Sequence, residues 1–203
     1  MRALLEQAAD RPVSRETCDR LGAFVDLLKA ENRRQNLISA ATLERIWERH
    51  IADSAQLVRF EPFAGASWVD IGSGAGLPGI VIACIVAGPV MLVEPRRLRA
   101  DFLHNVAESL ELDVSVVCGK AERVEGKFEV ITARAVAALP RLFEISHHLS
   151  TGKTVWALPK GRSAKSELAE ARRAWQGRFH VEPSVTDAES FIVVATEVRA
   201  RQR

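Results

Sequence analysis

The pattern of apolar and polar positions changes character at about residue 60. Before it, apolar residues recur at helical spacing. Leu21, Phe24, Val25 and Leu28 form one stripe, and Ser14 stands at the cap position, which predicts a helix from Arg15 to about Glu31. A second stripe runs through Leu43, Ile46, His50 or Ile51, and Leu57, and Thr42 as its cap predicts a helix from Leu43 to about Arg59. The linker Glu61-Pro62-Phe63-Ala64-Gly65 ends this pattern. Short β-rich runs then alternate with helical ones. Strands are predicted over 67–71, 90–94, 113–118, 128–133 and 153–158, and helices over 78–87, 97–110, 138–148 and 164–175. The segments 178–183 and 190–198 read as two strands joined by a turn around Asp187. Alternation of this kind predicts an α/β fold, a parallel sheet with helices on both faces. The closing hairpin adds one antiparallel strand. The chain is expected to form one structural unit, with residues 1–60 a helical extension packed on a Rossmann-like core over 61–203.

The most informative run is VDIGSGAGLPGI, Val69 to Ile80. A buried strand carrying Asp70 meets glycines at alternate positions, Gly72, Gly74 and Gly76, and then Pro78, which suits the first turn of a helix. Glycine allows positive φ and close approach of a ligand to the backbone, and free N–H groups at a helix start attract an anion. The spacing is GxGxG, whereas a dinucleotide fingerprint is GxGxxG. Asp70 would also be a poor neighbour for a pyrophosphate. It suits a ligand with an ammonium or sulfonium group. S-adenosylmethionine carries both, with a carboxylate for the turn and ribose hydroxyls that want an acceptor at the end of the next strand. Glu94, after the apolar run Val90 to Val93, is placed to be that acceptor. Two plainer readings stand beside this: a glycine turn of another doubly wound protein, and a solvated acid at a strand end. Seven strands closing with an antiparallel one is also the layout of class I methyltransferases.

Composition narrows the classes. The chain has 203 residues, 47% hydrophobic and 27% charged, enough for one domain with a full-sized core. A net charge of +2 does not declare a nucleic-acid binder. Cys18, Cys84 and Cys118 are far apart with no CxxC, which reads as buried free thiols in a reducing cytosol. The first residues mix acids and arginines with apolar residues, unlike a signal peptide. No apolar run is long enough to span a bilayer, and no ligand cluster predicts a metal. A soluble intracellular protein is expected.

With these residues in view, the chain resembles the bacterial glucose-inhibited division protein B family, small-subunit ribosomal RNA guanine-N7 methyltransferases. The resemblance covers nearly the whole chain. It rests on NLIS at Asn36–Ser39, RHIADS at Arg49–Ser54, VDIGSGAGLPGI, GKAE at Gly119–Glu122, TARAVA at Thr132–Ala137 and LPKG at Leu158–Gly161. It implies a class I methyltransferase with a seven-stranded sheet. The implied enzyme is cytoplasmic and monomeric and uses S-adenosyl-L-methionine on ribosomal RNA or the small ribosomal subunit, with no membrane partner. The methyl acceptor would be N7 of a guanine in the decoding region. Carried over by residue, the resemblance sets the cofactor against Gly72, Leu77, Ala121, Glu122 and Arg134, beside Asp70, Gly74 and Glu94. Ala121 would offer its N–H to adenine and Glu122 would close that side. Arg134, at the carboxyl edge of the sheet, would hold the cofactor carboxylate or a substrate phosphate.

N7 of guanine has an exposed lone pair and no proton, so its methylation needs positioning rather than a base. The place of the (N/D)PP(Y/F) motif of amine methyltransferases reads Thr132-Ala133-Arg134-Ala135, and no cysteine stands next to a proline as cytosine-C5 chemistry needs. Arg49, His50, Asp53 and Ser54 are candidates to meet RNA, with a core or capping histidine as the other reading of His50. Asn36 reads foremost as a turn residue. Lys160 is a candidate phosphate contact, joined by Arg162 and Lys165 in a basic stretch from Lys153 to Arg178, and by Arg97 in the cluster Arg96, Arg97, Arg99. Such runs are solvated helix faces unless they converge on the cofactor edge. The chain has no tyrosine, and its tryptophans, with Phe60 and Phe63, read mostly as core. A methyltransferase for a small molecule, a protein or another RNA site, and a non-catalytic ribosome-assembly factor, are the competing readings.

Overall fold

The computed structural model describes residues 1–201. Helices come first: α1 (Arg2–Ala9), α2 (Arg15–Gln35) and the single turn α3 (Ala40–Leu43). Ser14 caps α2, its hydroxyl accepting the Thr17 N–H at 2.9 Å. The helix continues past Glu31 to Gln35, and Asn36 ends it in the left-handed region, φ 50°, a conformation asparagine tolerates. Asn36 is therefore a turn residue.

The second predicted helix is not continuous. After α3 comes a π-helical turn over Trp47–Ala52, then α4 (Asp53–Ala55) and a 3-10 turn over Gln56–Phe60. Thr42 is not a cap: Ser39 precedes α3, and the Thr42 hydroxyl lies 2.9 Å from His50 Nε2. A π turn takes up an extra residue as a local bulge. Here it keeps Ile51 and Ala52 buried while His50 and Asp53 both reach Arg134.

From Trp68 the strands and helices alternate: β1 (Trp68–Ile71), α5 (Gly79–Ile85), β2 (Val90–Glu94), α6 (Arg97–Ser109), β3 (Val114–Cys118), β4 (Val130–Ala133), α7 (Leu139–Ser146), β5 (Val155–Lys160), α8 (Ala164–Ala174), β6 (Trp175–Pro183) and β7 (Phe191–Ala200). The sheet order is β3-β2-β1-β4-β5-β7-β6. The first five strands are parallel, and β7 runs antiparallel to both β5 and β6. Strand order reverses at β1, where open α/β sheets bind ligands. The register pairs Ile71 with both Val93 and Ala133. Gly72, Glu94 and Arg134, each one residue further on, therefore stand side by side at the carboxyl edge.

Every residue of β1 and β4 is buried, as a two-sided sheet requires. One core face joins Trp68, Ile80 and Leu92 to Leu5, Leu21, Phe24 and Leu28 of the N-terminal helices. Each such fully buried side chain contributes about 1.5–3 kcal/mol, so packing rather than helix propensity holds α1 and α2 to the sheet. The other face collects Ile71, Ile131, Leu142, Phe143 and Trp156, with the Phe143 and Trp156 rings edge to face at 5.0 Å. Trp47, Trp175 and Phe60 are only partly buried, Phe63 is exposed, and of the thiols only Cys84 is buried while Cys118 is exposed.

Candidate active site at the carboxyl edge of the sheet

The turn after β1 has the backbone its glycines imply. Gly72 sits at φ 68°, and a Cβ there would lie 2.6 Å from Val136 Cγ2. The Val93 carbonyl accepts the N–H groups of Gly72 at 2.7 Å and Ser73 at 3.1 Å, and the Ser73 hydroxyl donates to the Asp70 carbonyl at 2.9 Å. The start of α5 departs from expectation. Its first N–H, from Gly79, donates to Asp70 Oδ2 at 3.1 Å, so the protein supplies the anion itself. Asp70 is only 1% exposed, and its Oδ1 has no hydrogen-bond partner among the described residues. Burial pushes its pKa up to about 7. An orphaned buried carboxylate oxygen calls for a donor or a cation. That oxygen, beneath a turn of positive-φ glycines, fits the cationic end of S-adenosylmethionine.

Glu94 is no solvated strand-end acid. It is 3% exposed, its Oε2 accepts the Gly74 N–H at 2.9 Å, and its Oε1 accepts the Arg96 N–H at 2.8 Å. Its carboxylate ties the glycine turn to the start of α6. Each oxygen keeps a second lone pair for a ribose hydroxyl. Leu77 is buried under the turn. Ala121 opens a 3-10 turn, Ala121–Arg123, where the first N–H has no partner within the turn. Glu122 is exposed and pairs with Arg141 at 3.2 Å.

Arg134 follows β4 and is met by the N-terminal helices. Its Nη1 lies 3.4 Å from Asp53 Oδ2 and its Nη2 3.3 Å from His50 Nδ1. Asp53 Oδ1 accepts from the Thr186 hydroxyl at 2.7 Å and from Gln56 Nε2 at 2.9 Å. Gln56 Oε1 in turn accepts the Val185 N–H at 3.0 Å. Burial, then the charges of Arg134 and Arg49, push the His50 pKa down to about 4. The imidazole is neutral at neutral pH, and the Arg134 contact assigns Nδ1 as acceptor and Nε2 as the donor to Thr42. His50 therefore faces inward and braces Arg134. Arg49 pairs with Asp187 at 2.9 Å, and Ser54 is buried.

A cavity of about 440 Å³ opens beside Arg134, bounded by the Ala135–Ala138 loop, Gln56, Lys160, Glu167 and Phe191. Lys160 is not presented to solvent as a phosphate contact. Its side chain is 10% exposed, with Nζ 2.7 Å from the Ala137 carbonyl and 2.9 Å from Glu167 Oε2. Glu167 also accepts the Leu139 N–H at 3.1 Å. This pair is an internal strut beneath the loop, because the end of β5 points its side chain under that loop rather than past it. Arg162 pairs with Glu189, and Lys165 lies over the Phe191 ring, 5.8 Å from its centroid. Arg97 is exposed on α6 and pairs with Asp101 at 2.8 Å. Gln56 and Ser184 complete the mouth, with Thr186 supporting Asp53, and none of the three carries a motif that marks it in sequence. Among the described residues no group of three or more His, Cys, Asp or Glu could hold a metal ion, and no helix is long and apolar enough to cross a membrane.

A doubly wound seven-stranded sheet, closed by an antiparallel strand, with an acid and a glycine turn at its switch point, defines a class I S-adenosylmethionine-dependent methyltransferase. Solved structures share this fold. A SAM-dependent methyltransferase from Aquifex aeolicus matches with a TM-score of 0.61 at 13% identity, covering 79% of this chain and 99% of that one. M. jannaschii TYW2 in complex with AdoMet matches at 0.56 and 12% identity, covering 81% and 78%. The family model described as rRNA small subunit methyltransferase G matches residues 17–190. Ribosomal RNA small subunit methyltransferase G of Zymomonas mobilis is 43% identical over 200 residues, 94% of this chain and 90% of that protein. Its counterpart from Sphingopyxis alaskensis is 50% identical over 186 residues, 90% and 80% of the two chains. The chain belongs to the rRNA small subunit methyltransferase G family. It is an enzyme that methylates small-subunit ribosomal RNA, and its methyl donor is S-adenosylmethionine.

Proposed function

We propose that the enzyme methylates N7 of a guanine in the decoding region of 16S ribosomal RNA, with the base seated in the cavity beside Arg134. The observation that carries this reading is the mouth itself. It abuts the glycine turn through Val136, and its polar groups are already engaged with one another. His50 uses both ring nitrogens, and both Asp53 oxygens already accept a hydrogen bond. Acceptors engaged in this way suit a nucleophile that has no proton to lose. Methylation leaves the ring cationic, and the carboxylates of Asp53 and Glu167 line the cavity where that charge would develop.

In this reading Gly72, Leu77, Ala121, Glu122 and Arg134 hold the cofactor, while Asp70, Gly74 and Glu94 shape its bed. S-adenosylmethionine, when bound, supplies an electrophilic methyl group. Arg134, braced by Asp53 and His50, orients the base or its phosphate, and the Lys160–Glu167 strut fixes the loop that walls the cavity. The enzyme works as a cytoplasmic monomer, with the helical extension 1–60 serving the core 61–203. The test is methyl transfer from labelled donor to isolated small subunits, naked 16S RNA and small metabolites. Digestion and mass analysis should find 7-methylguanosine in the decoding region. A methylated exocyclic amine, or a labelled metabolite, would overturn the assignment.

A further inference from the structure

The end of α2 and the start of α6 enclose a cleft of about 370 Å³ lined by Arg34, Gln35, Arg96, Arg97, Leu98 and Arg99. Gln35 closes its floor, donating from Nε2 to the Leu98 carbonyl at 3.0 Å. Half of its charge is uncompensated. Arg34 pairs with Glu31 and Arg97 with Asp101, both near the surface, and among the described residues Arg96 and Arg99 form no ion pair. Surface pairs of this kind contribute little and yield readily to a phosphate, which takes a guanidinium fork in bidentate fashion. The first turn of α6 carries no acidic residue and no side-chain cap. Arginines gathered at a helix N-terminus oppose the helix dipole, and the anion at this end is Glu94, which accepts the Arg96 N–H from the side of the glycine turn.

The opposite rim is different. Lys160 is tied to Glu167, Arg162 to Glu189 and Arg49 to Asp187. These three cations are all ion-paired, the Arg162–Glu189 pair being as exposed as those of the cleft, whereas two of the four cleft arginines have no acidic partner among the described residues. The arginine cleft, by contrast, is continuous with the donor site: Arg99 Nη1 lies 3.7 Å from where a Cβ on Gly74 would be. Leu98, 68% exposed in its midst, offers an apolar surface to a ribose or base. Resting on the reading of the substrate as ribosomal RNA, we infer that this cleft docks the sugar–phosphate backbone of the RNA and leads the strand past the glycine turn to the cavity beside Arg134.

The test is the double variant R34E/R97E, which leaves Arg96, Arg99 and the cofactor bed untouched. Binding to protein-free 16S RNA and to small subunits is measured between 50 and 200 mM salt, with donor binding by calorimetry alongside. Affinity for both substrates should fall at least tenfold. The log–log salt slope should become shallower by about 1.4–1.8, the loss of two phosphate contacts. Donor affinity should stay within twofold, as should RNA binding by R2E/R15E, which makes the same charge change elsewhere. Unchanged RNA affinity, or the loss appearing in R162E/K165E instead, would overturn the inference. So would a loss confined to intact subunits, which would place an acidic protein in the cleft. RNA binding through the cleft by an enzyme that modifies another base would uphold this inference and overturn the guanine-N7 assignment alone.

Discussion

The two halves of the carboxyl edge are held together in opposite ways. The donor half is stapled by residues close in sequence: Ser73 to Asp70 across three positions, Gly79 to Asp70 across nine, Gly74 to Glu94 across twenty, and Arg96 to Glu94 across two. The acceptor half is stapled across the chain: Arg134 to Asp53 over 81 positions, Gln56 to Ser184 over 128, Thr186 to Asp53 over 133, and Arg49 to Asp187 over 138. The donor bed is built within one β-α-β unit. The acceptor mouth exists only once the N-terminal helices and the β6–β7 hairpin have both docked, a closure that local contacts do not favour.

Severing the centre of the long-range half should have the largest effect. Arg134→Ala should lower kcat/KM by about 10²–10³-fold, the range for a preorganised electrostatic group. Its thermal melt should stay close to that of the parent, since Asp53 keeps Thr186 and Gln56. Wild-type turnover would refute the role given to Arg134. The local half is probed by Gly79→Ala. A Cβ there would lie 2.7 Å from Asp70 Oδ2 and against Leu92, so the fold should lose about 2–3 kcal/mol by overpacking. Denaturant melts check this, and an unchanged midpoint would mean the bed is softer than its hydrogen bonds suggest.

Whether the halves are separable is the question for Asp53→Asn. It keeps the shape and removes the charge facing Arg134, and should reduce kcat about tenfold with donor affinity within twofold. An equal drop in donor affinity, read by calorimetry, would show that bed and mouth act as one unit. The smallest effect is on acid stability. Between pH 6.5 and about 4 the unfolded chain takes up a proton on His50 that the folded chain refuses, so this residue makes stability fall as pH falls. Asp70 runs the other way. The folded chain keeps its proton up to about 7 while the unfolded chain sheds it near 3.8, so that contribution falls as pH rises. The difference in melting temperature between the parent and His50→Gln, followed from pH 7 to 4, should isolate the His50 slope; parallel curves would count against a neutral buried imidazole.

The same contrast explains what could be read from the residues alone. Alternation of short apolar runs, the GxGxG turn, Asp70 and Glu94 are local signals, and they locate the sheet, its switch point and the donor bed. The π turn over Trp47–Ala52 breaks a stripe that looks continuous, because Thr42 bonds His50 rather than capping a helix. Lys160 reads as a cation near an edge, but Glu167 and the Ala137 carbonyl take its charge inward. Gln56, Ser184 and Thr186 are ordinary polar residues until the fold brings them to Asp53. The basic clusters announce themselves by charge, yet only their ion-pair partners separate the balanced rim from the unbalanced cleft.

A π turn contains one residue more than an α-helix of the same rise. Loss of a single residue between Trp47 and Ala52 would therefore be absorbed as ordinary winding, whereas loss of a second would leave the segment one residue short and swing Asp53 and Gln56 by about 100° relative to the helices before them. Arg134 would then lose its anchor while every strand stayed whole. Deletions longer than one residue in this short stretch should thus be intolerable to the enzyme although harmless to its sheet, a vulnerability that sits far from the glycines and would escape any search confined to them.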